Sequence, residues 1–359
     1  MTRLHALVAR APVITALAVC ALGGAVCALA RTPLPWMIGP LLTMAALRFA
    51  GFALAAPRGG RQTGQLVIAV ALGLYFTPAV AREVLARWEI LVVAAVFAAA
   101  LAYVGAWMLS RWTDTDRTTA LFASVPGGAA EMAMLGERFG AKTERIVVAQ
   151  SLRVLLVVVA VPVAITWSGA QGTDDYVAVT LPVEVGGLAV LAAAAVAGGL
   201  ALWFVGSPNP FFLGPLVVVI GLTVAELARS SVPVELVNAG QVLLGCSLGS
   251  RFERDFLRRS PRYLLVVASS IVAAIVISAL FAGGLAYWGG LPVATLVLAT
   301  APGGLAEMCI TAKVLQLGVP LVTAAQVTRV IILLTTTGPI FRLLRGVLRR
   351  RPRPPGGSD

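Results

Sequence analysis

The chain has 359 residues, of which 59% are hydrophobic and only 12% charged, with a net charge of +12. That balance excludes the pair of soluble domains its length alone would suggest, because the apolar residues come in runs about as long as a bilayer is thick. It also excludes nucleic-acid binding as the source of the charge. The arginines lie in loops and in the tail Arg342, Arg345, Arg349, Arg350, Arg351 and Arg353, with no soluble basic domain left over.

Six apolar segments can be drawn in each half of the chain. In the first they fall near 11–30, 35–55, 62–80, 89–110, 118–139 and 143–167, and in the second near 183–204, 210–228, 236–250, 262–286, 292–315 and 319–343. Residues 1–30 imitate a signal peptide, with Arg3 and Arg10 before an apolar run that ends in Ala28-Leu29-Ala30. Retention is expected, because Gly23-Gly24 returns as Gly198-Gly199 inside the seventh segment.

The duplication runs along nearly the whole sequence. Pro35, Gly39 and Pro40 match Pro210, Gly214 and Pro215 at an offset of 175, the first of them by 210 − 35. Gly64-Gln65 matches Gly240-Gln241, Gly73 matches Gly249, and Phe76 matches Phe252, all at 176. Gly39-Pro40 and Gly214-Pro215 can serve as kinks, hinges or packing devices, and Gly245 with Gly249 permits close helix contact.

Charge then limits the number of crossings. The basic loop from Arg251 to Arg262 and the basic tail both belong on the cytoplasmic side. Three apolar segments separate them, so one must turn back, and the segment containing Pro302-Gly303-Gly304 is the natural choice. The same choice in the first half puts Arg58, Arg61, Arg111, Arg117, Arg138, Lys142 and Arg145 inside and Asp174-Asp175 outside. It leaves the Arg82, Glu83, Arg87 loop outside against its positive balance.

The expected fold is an all-α polytopic membrane protein of two inverted repeats, each with about five transmembrane helices plus one re-entrant or broken helix. The repeats are expected at 1–170 and 183–345, with an external linker at 171–182 and a basic cytoplasmic tail at 346–359.

Two stretches carry the candidate chemistry. Pro126-Gly127-Gly128-Ala129-Ala130-Glu131-Met132 returns as Pro302-Gly303-Gly304-Leu305-Ala306-Glu307-Met308, a spacing of 176 (302 − 126). The proline favours extended backbone just before it, and two glycines permit backbone angles closed to other residues. A helix can then restart and present unpaired N–H groups to an anion. Glu131 and Glu307 fall in the first turns of those helices, where an uncompensated charge in lipid costs on the order of 3 kcal/mol.

Arg153 and Arg329 are the expected partners, because each follows its glutamate by 22 residues (153 − 131 and 329 − 307). Gln150 and Gln326 precede them by three residues, on the same helical face. Two readings stay open: each pair pins a hairpin to its neighbour, or the two together line a chamber for a small solute or ion. Thr118, Thr119, Ser124, Thr300 and Thr311 can add hydroxyls, although such groups often bond back to their own helix.

Nothing competes as a catalytic arrangement. Cys20, Cys27, Cys246 and Cys309 lie in apolar segments with no CxxC pair, and His5 is the only histidine. No metal site and no cofactor are expected. Lys142 and Lys313, the only lysines, follow no phosphate-cradling glycine pattern.

The duplicated signature, standing at Pro126–Met132 and Pro302–Met308, resembles the AbrB-type membrane protein family of bacteria. The resemblance covers essentially residues 10–345. It implies a bacterial membrane protein, and that family carries the labels ammonia monooxygenase and regulator, the latter for an effect on expression of another gene. The family is distinct from the small soluble DNA-binding transition-state regulator of the same name.

A copper monooxygenase needs histidine ligands inside a folded domain, and His5 alone cannot supply them. The expected function is therefore a secondary-transporter-like carrier of a small solute, with an anion among the candidates. The alternative is a membrane-embedded sensor that affects expression indirectly, and an ammonia-oxidising enzyme is disfavoured. The expected partners are the lipid bilayer, a small solute or ion and, as an open question, a second copy in a homodimer, with no direct contact to nucleic acid. The expected location is the bacterial inner membrane with the C-terminus in the cytoplasm.

Overall fold

Long apolar runs interrupted by proline and glycine give helices of two lengths. In the first half they are α1 (Pro12–Leu29), α2 (Pro35–Phe49), α3 (Gly60–Gly73), α4 (Pro78–Ala86), α5 (Trp88–Trp112), α6 (Arg117–Ser124), α7 (Ala129–Arg138) and α8 (Thr143–Trp167). In the second half they are α9 (Val185–Phe204), α10 (Pro210–Val224), α11 (Val234–Gly249), α12 (Pro261–Gly289), α13 (Val293–Thr300), α14 (Leu305–Leu315) and α15 (Val319–Arg349). The computed structural model describes residues 12–127, 129–170, 181–252 and 260–349, without the side chains of Ala130, Glu131, Leu334 and residues 336–349. Gly128, most of the linker expected at 171–182, residues 253–259 of the basic loop and the end of the tail lie outside the described residues.

The protein is all-helical among the described residues, with a membrane architecture. Five helices are long and apolar enough to cross a bilayer, and a sixth span follows if α3 and α4, bent by 93°, count as one. Each of the expected segments 118–139 and 292–315 is two short helices around a break, α6–α7 and α13–α14. Arg82 and Glu83 lie in α4, with Arg87 just after it, and α4 turns away from α3 after the Thr77 side chain accepts the Val80 N–H at 3.3 Å. Val84 is its buried residue, while Arg82 and Glu83 stay exposed.

Among the described residues the seven helices of the second half follow the order of seven in the first, and α4 has no described counterpart. Both α2 and α10 begin with proline in the first turn, after Leu34 and Asn209 in left-handed backbone (φ 49 and 51). The glycines beside Pro40 and Pro215 are packing devices. A methyl at Gly39 would meet the backbone of Gly23 and Gly24, and a methyl at Gly214 that of Gly198 and Gly199, so α1–α2 and α9–α10 touch backbone to backbone.

The two halves interleave. The first three helices of each, α1–α3 and α9–α11, form one bundle, in which α2 packs on α11 and α10 on α3. Within it α3 and α11 run antiparallel, with Gly60 near Ser247 and Gly64 against Gly240. The later helices of both halves form a second bundle, with α5 against α15 and α12 against α8. There α5 and α12 also run antiparallel: Phe97 stacks on Phe281 at 3.8 Å, and Arg87 donates to the Gly289 carbonyl at 3.4 Å. Helix α3 joins the bundles by packing on α14.

Candidate functional site

Two helical hairpins build the site. Helices α6 and α7 fold back on one another: the Thr119 hydroxyl, near the start of α6, accepts the Lys142 N–H at 2.8 Å, beyond the end of α7. Phe122 stacks on Phe139 at 5.8 Å. In the second half Gly318, beyond the end of α14, packs on Thr295 near the start of α13. The tips are the two Pro-Gly-Gly stretches.

Such a tip, buried in an apolar bundle, leaves the last carbonyls of its first helix without intrahelical N–H partners. The neighbouring helix supplies them. Gln150 on α8 donates to the Phe122 carbonyl at 2.9 Å and to that of Val125 at 2.8 Å. Arg153 donates to Val125 at 3.1 Å and to Gly127 at 3.2 Å.

The second half repeats three of these four bonds with the partner shifted by 176; the Gln150 bond to Val125 has no counterpart from Gln326 to Ala301. Gln326 on α15 donates to the Leu298 carbonyl at 2.7 Å, and Arg329 to those of Ala301 and Gly303, both at 2.8 Å. A guanidinium at a helix C-terminus also complements the negative end of the dipole. Both arginines are buried, at 5% and 2% exposure.

The Glu–Arg pairing expected for the second half is therefore corrected. Arg329 directs its fork at hairpin carbonyls, and among the described residues it makes no ion pair with Glu307. The side chain of Glu131 lies outside the described residues. The glycines also act differently from expectation. None of Gly127, Gly303 and Gly304 is left-handed, and Gly304 sits at φ −74, ψ 151. They provide room instead. Met132 lies across Gly127 and Met308 across Gly303, while the Glu307 carboxylate fills the space that a Cβ at Gly304 would take.

Glu307 is in the first turn of α14, where the dipole favours its charged form. It is 4% exposed and has no side-chain hydrogen bond among the described residues, although Arg153 and Arg329 are near enough to attract it through space. The Oε1 atoms of Gln150 and Gln326 are likewise buried and unpartnered. Thr300 and Thr311 bond back to the Leu296 and Glu307 carbonyls at 2.8 and 2.7 Å.

A cavity of about 50 Å³ lies where the tips meet, lined by Pro126, Gly127, Gly303, Gly304 and Glu307 with both buried arginines. It also takes in Arg61 and Gln65 from α3, Asn209 and Arg251. Of these four the sequence marked Gln65 through its match to Gln241, and Arg61 and Arg251 only as loop charges that bear on topology. Arg61, Asn209 and Arg251 have no counterpart of their own type at the repeat offset, so a search for duplicated residues passes over them. A second cavity of about 40 Å³ shares Pro126 and Arg153, adds Pro302, and is otherwise walled mainly by α5 and α12, with Ser124 and Thr300 at its edge. Pro302 joins this neighbouring cavity and does not line the charged one.

Interleaved apolar helices around two hairpin tips that share a cavity with buried charge define, among the described residues, a membrane protein of several spans. The chain belongs to the AbrB family: the family profile described as "Transition state regulatory protein AbrB" matches residues 36–345. The chain is 28% identical to "Uncharacterized protein YhjN" of Bacillus subtilis (strain 168), over 91% of this chain and 92% of that protein. It is 25% identical to "Putative regulator AbrB" of Escherichia coli (strain K12), over 87% of this chain and 90% of that protein. No solved structure matches it.

Proposed function

We propose that this chain is a secondary carrier of a small solute, which it binds where the two hairpin tips meet. The observation that carries this reading is Glu307, buried in an apolar bundle, facing a cavity and without a side-chain hydrogen bond among the described residues. A carboxylate kept only to brace the fold would be bonded to what it braces, since a buried charge is otherwise costly. Bracing is the work of Gln150, Arg153, Gln326 and Arg329, and the glutamate remains available to a ligand or ion.

Inverted repeats fit this reading. The matched helices α5 and α12 run antiparallel, as do α3 and α11. Arg145 and Tyr263 meet, the tyrosine hydroxyl donating to the Arg145 carbonyl at 2.9 Å, so the basic loops before α8 and α12 share one face. With positive charge retained inside, that face is cytoplasmic and so is the C-terminus. The first hairpin then enters from the cytoplasm and the second from outside, in the inner membrane of a bacterium.

The regulatory name of the E. coli relative favours a second reading, a membrane sensor that binds the same solute and moves nothing. We read neither case as an enzyme or as a direct contact to nucleic acid.

Purified protein in proteoliposomes separates the two readings by counterflow of labelled small metabolites. Saturable exchange that is lost in Glu307→Gln and Glu131→Gln supports the carrier. Saturable binding without exchange supports the sensor, and exchange untouched by both variants removes the hairpin tips as the site.

A further inference from the structure

The internal repeat separates what the fold requires from what one face alone carries. Residues that brace the hairpins recur: Gln150 with Gln326, Arg153 with Arg329, Met132 with Met308. The mouth of the tip cavity breaks the rule. Arg61, Asn209 and Arg251 line it, and their counterparts are Val237 (61 + 176), Leu34 (209 − 175) and Tyr75 (251 − 176). The counterparts of Arg61 and Arg251 are uncharged side chains, so the repeated fold does not itself require arginine at either place.

Charge points the same way. Three buried or half-buried guanidiniums, those of Arg61, Arg153 and Arg329, line the cavity together with the carboxylate of Glu307. Arg61, Arg153 and Arg329 each have a buried Nε without a hydrogen-bond partner. The first turn of α14, an 11-residue helix, opens at Gly304 and Leu305 on the cavity wall, so its free N–H groups add to the same positive field.

We propose that the cavity between the hairpin tips is an anion site that takes a small oxoanion, of the carboxylate or phosphate class, at the Arg61 guanidinium. The volume of about 50 Å³ admits an anion of few non-hydrogen atoms. Placing this anion as the transported solute rests on the carrier reading, whereas the anion site itself does not.

The test reads the sign of the charge effects. Purified protein in a neutral detergent is titrated with acetate, inorganic phosphate and, as the opposite charge, ammonium, and dissociation constants are taken from thermal shift and calorimetry. One oxoanion is expected to raise the unfolding temperature and ammonium is not. Arg61→Gln should weaken that anion by roughly tenfold, and Glu307→Gln, which removes the opposing charge, should tighten it by roughly threefold to tenfold. Arg61→Lys, which keeps the charge without the fork, should lie between wild type and Arg61→Gln, and covers the case in which the glutamine variant fails to fold.

Arg58 is basic, exposed and near the same helix end but does not line the cavity, so Arg58→Gln should leave binding unchanged. No shift with any oxoanion, ammonium binding that is lost in Glu307→Gln, or equal losses in Arg58→Gln and Arg61→Gln would each overturn the proposal. A repeat with added phosphatidylglycerol tells a lipid headgroup from a free anion: stabilisation only by the lipid overturns the soluble-anion site. Anion binding with no exchange in proteoliposomes would sink the carrier reading and leave the anion site standing.

Discussion

Glu307 and Arg329 line one cavity without bonding to each other, because the guanidinium donates instead to the carbonyls of Ala301 and Gly303. The arginine belongs to the architecture of the hairpin, and the carboxylate is left facing the cavity. Stability and binding should therefore respond to different residues.

Arg329→Gln leaves the Ala301 and Gly303 carbonyls without donors. Leaving two buried acceptors unsatisfied costs about 2–4 kcal/mol, and Arg153→Gln should cost less, because Val125 keeps its Gln150 donor and only Gly127 loses its own. Unfolding in mixed micelles, followed by circular dichroism, should show both losses, with a much smaller change in Glu307→Gln. A glutamate variant as damaging as the arginine variants would contradict this division.

Close helix approach makes a second contrast. At Gly39 and Gly214 an added methyl would strike the facing backbone, so Gly39→Ala and Gly214→Ala should destabilise by about 1–3 kcal/mol. Gly283 and Gly284 on α12 have nothing within 4 Å of an added Cβ. Alanine there should be neutral or stabilise the helix by about 0.5–1 kcal/mol. Equal losses at all four positions would show that the glycines are not distinguished by packing.

How much of this was legible depends on what kind of signal each feature leaves. Segment bounds such as 143–167 and 210–228 lie close to α8 and α10, because hydropathy runs reflect burial in lipid directly. Gln150, Arg153, Gln326 and Arg329 were found through the repeat. The partner expected for Arg329 was misread, since sequence offers charged partners and is blind to orphan carbonyls. Met132 and Met308 were visible in the motif, but their packing on Gly127 and Gly303 needs coordinates. The arginines at positions 61 and 251 come from α3 and from the residues just after α11, far from the motif, and the sequence marks them as loop charges with nothing that ties them to the cavity.

The base of the first hairpin carries a pH dependence. Asp116 caps α6, accepting the Thr119 N–H at 2.8 Å and its hydroxyl at 2.6 Å. Burial alone would push its carboxyl up, but the Thr119 bonds and the nearby Lys142 hold it below the usual carboxylate value. A depressed folded value means that its contribution is full above the usual carboxylate range and fades as the pH falls through the folded one. Asp116→Ala should lose about 1 kcal/mol at neutral pH. Asp116→Asn should keep most of the cap and flatten the fall in unfolding temperature between neutral pH and about pH 3. A wild-type acid profile in Asp116→Asn would remove this residue as its source.

The hairpin geometry can be tested without any ligand. An ideal Cβ at position 318 lies 3.5 Å from Thr295 Cβ, within the range that a disulfide bridges. Had α13 and α14 run straight on, 23 residues (318 − 295) of helix would part these positions by roughly 35 Å. Thr295→Cys with Gly318→Cys, in a background where Cys20, Cys27, Cys246 and Cys309 are replaced by alanine or serine, should close a disulfide on mild oxidation. Gly318 has φ 47, so its replacement is strained, but by one residue only. After denaturation, maleimide–polyethylene glycol should add two labels to the reduced protein and none to the oxidised one. Two labels retained after oxidation would mean that the segment passes straight through, and that no hairpin tip reaches the cavity around Glu307.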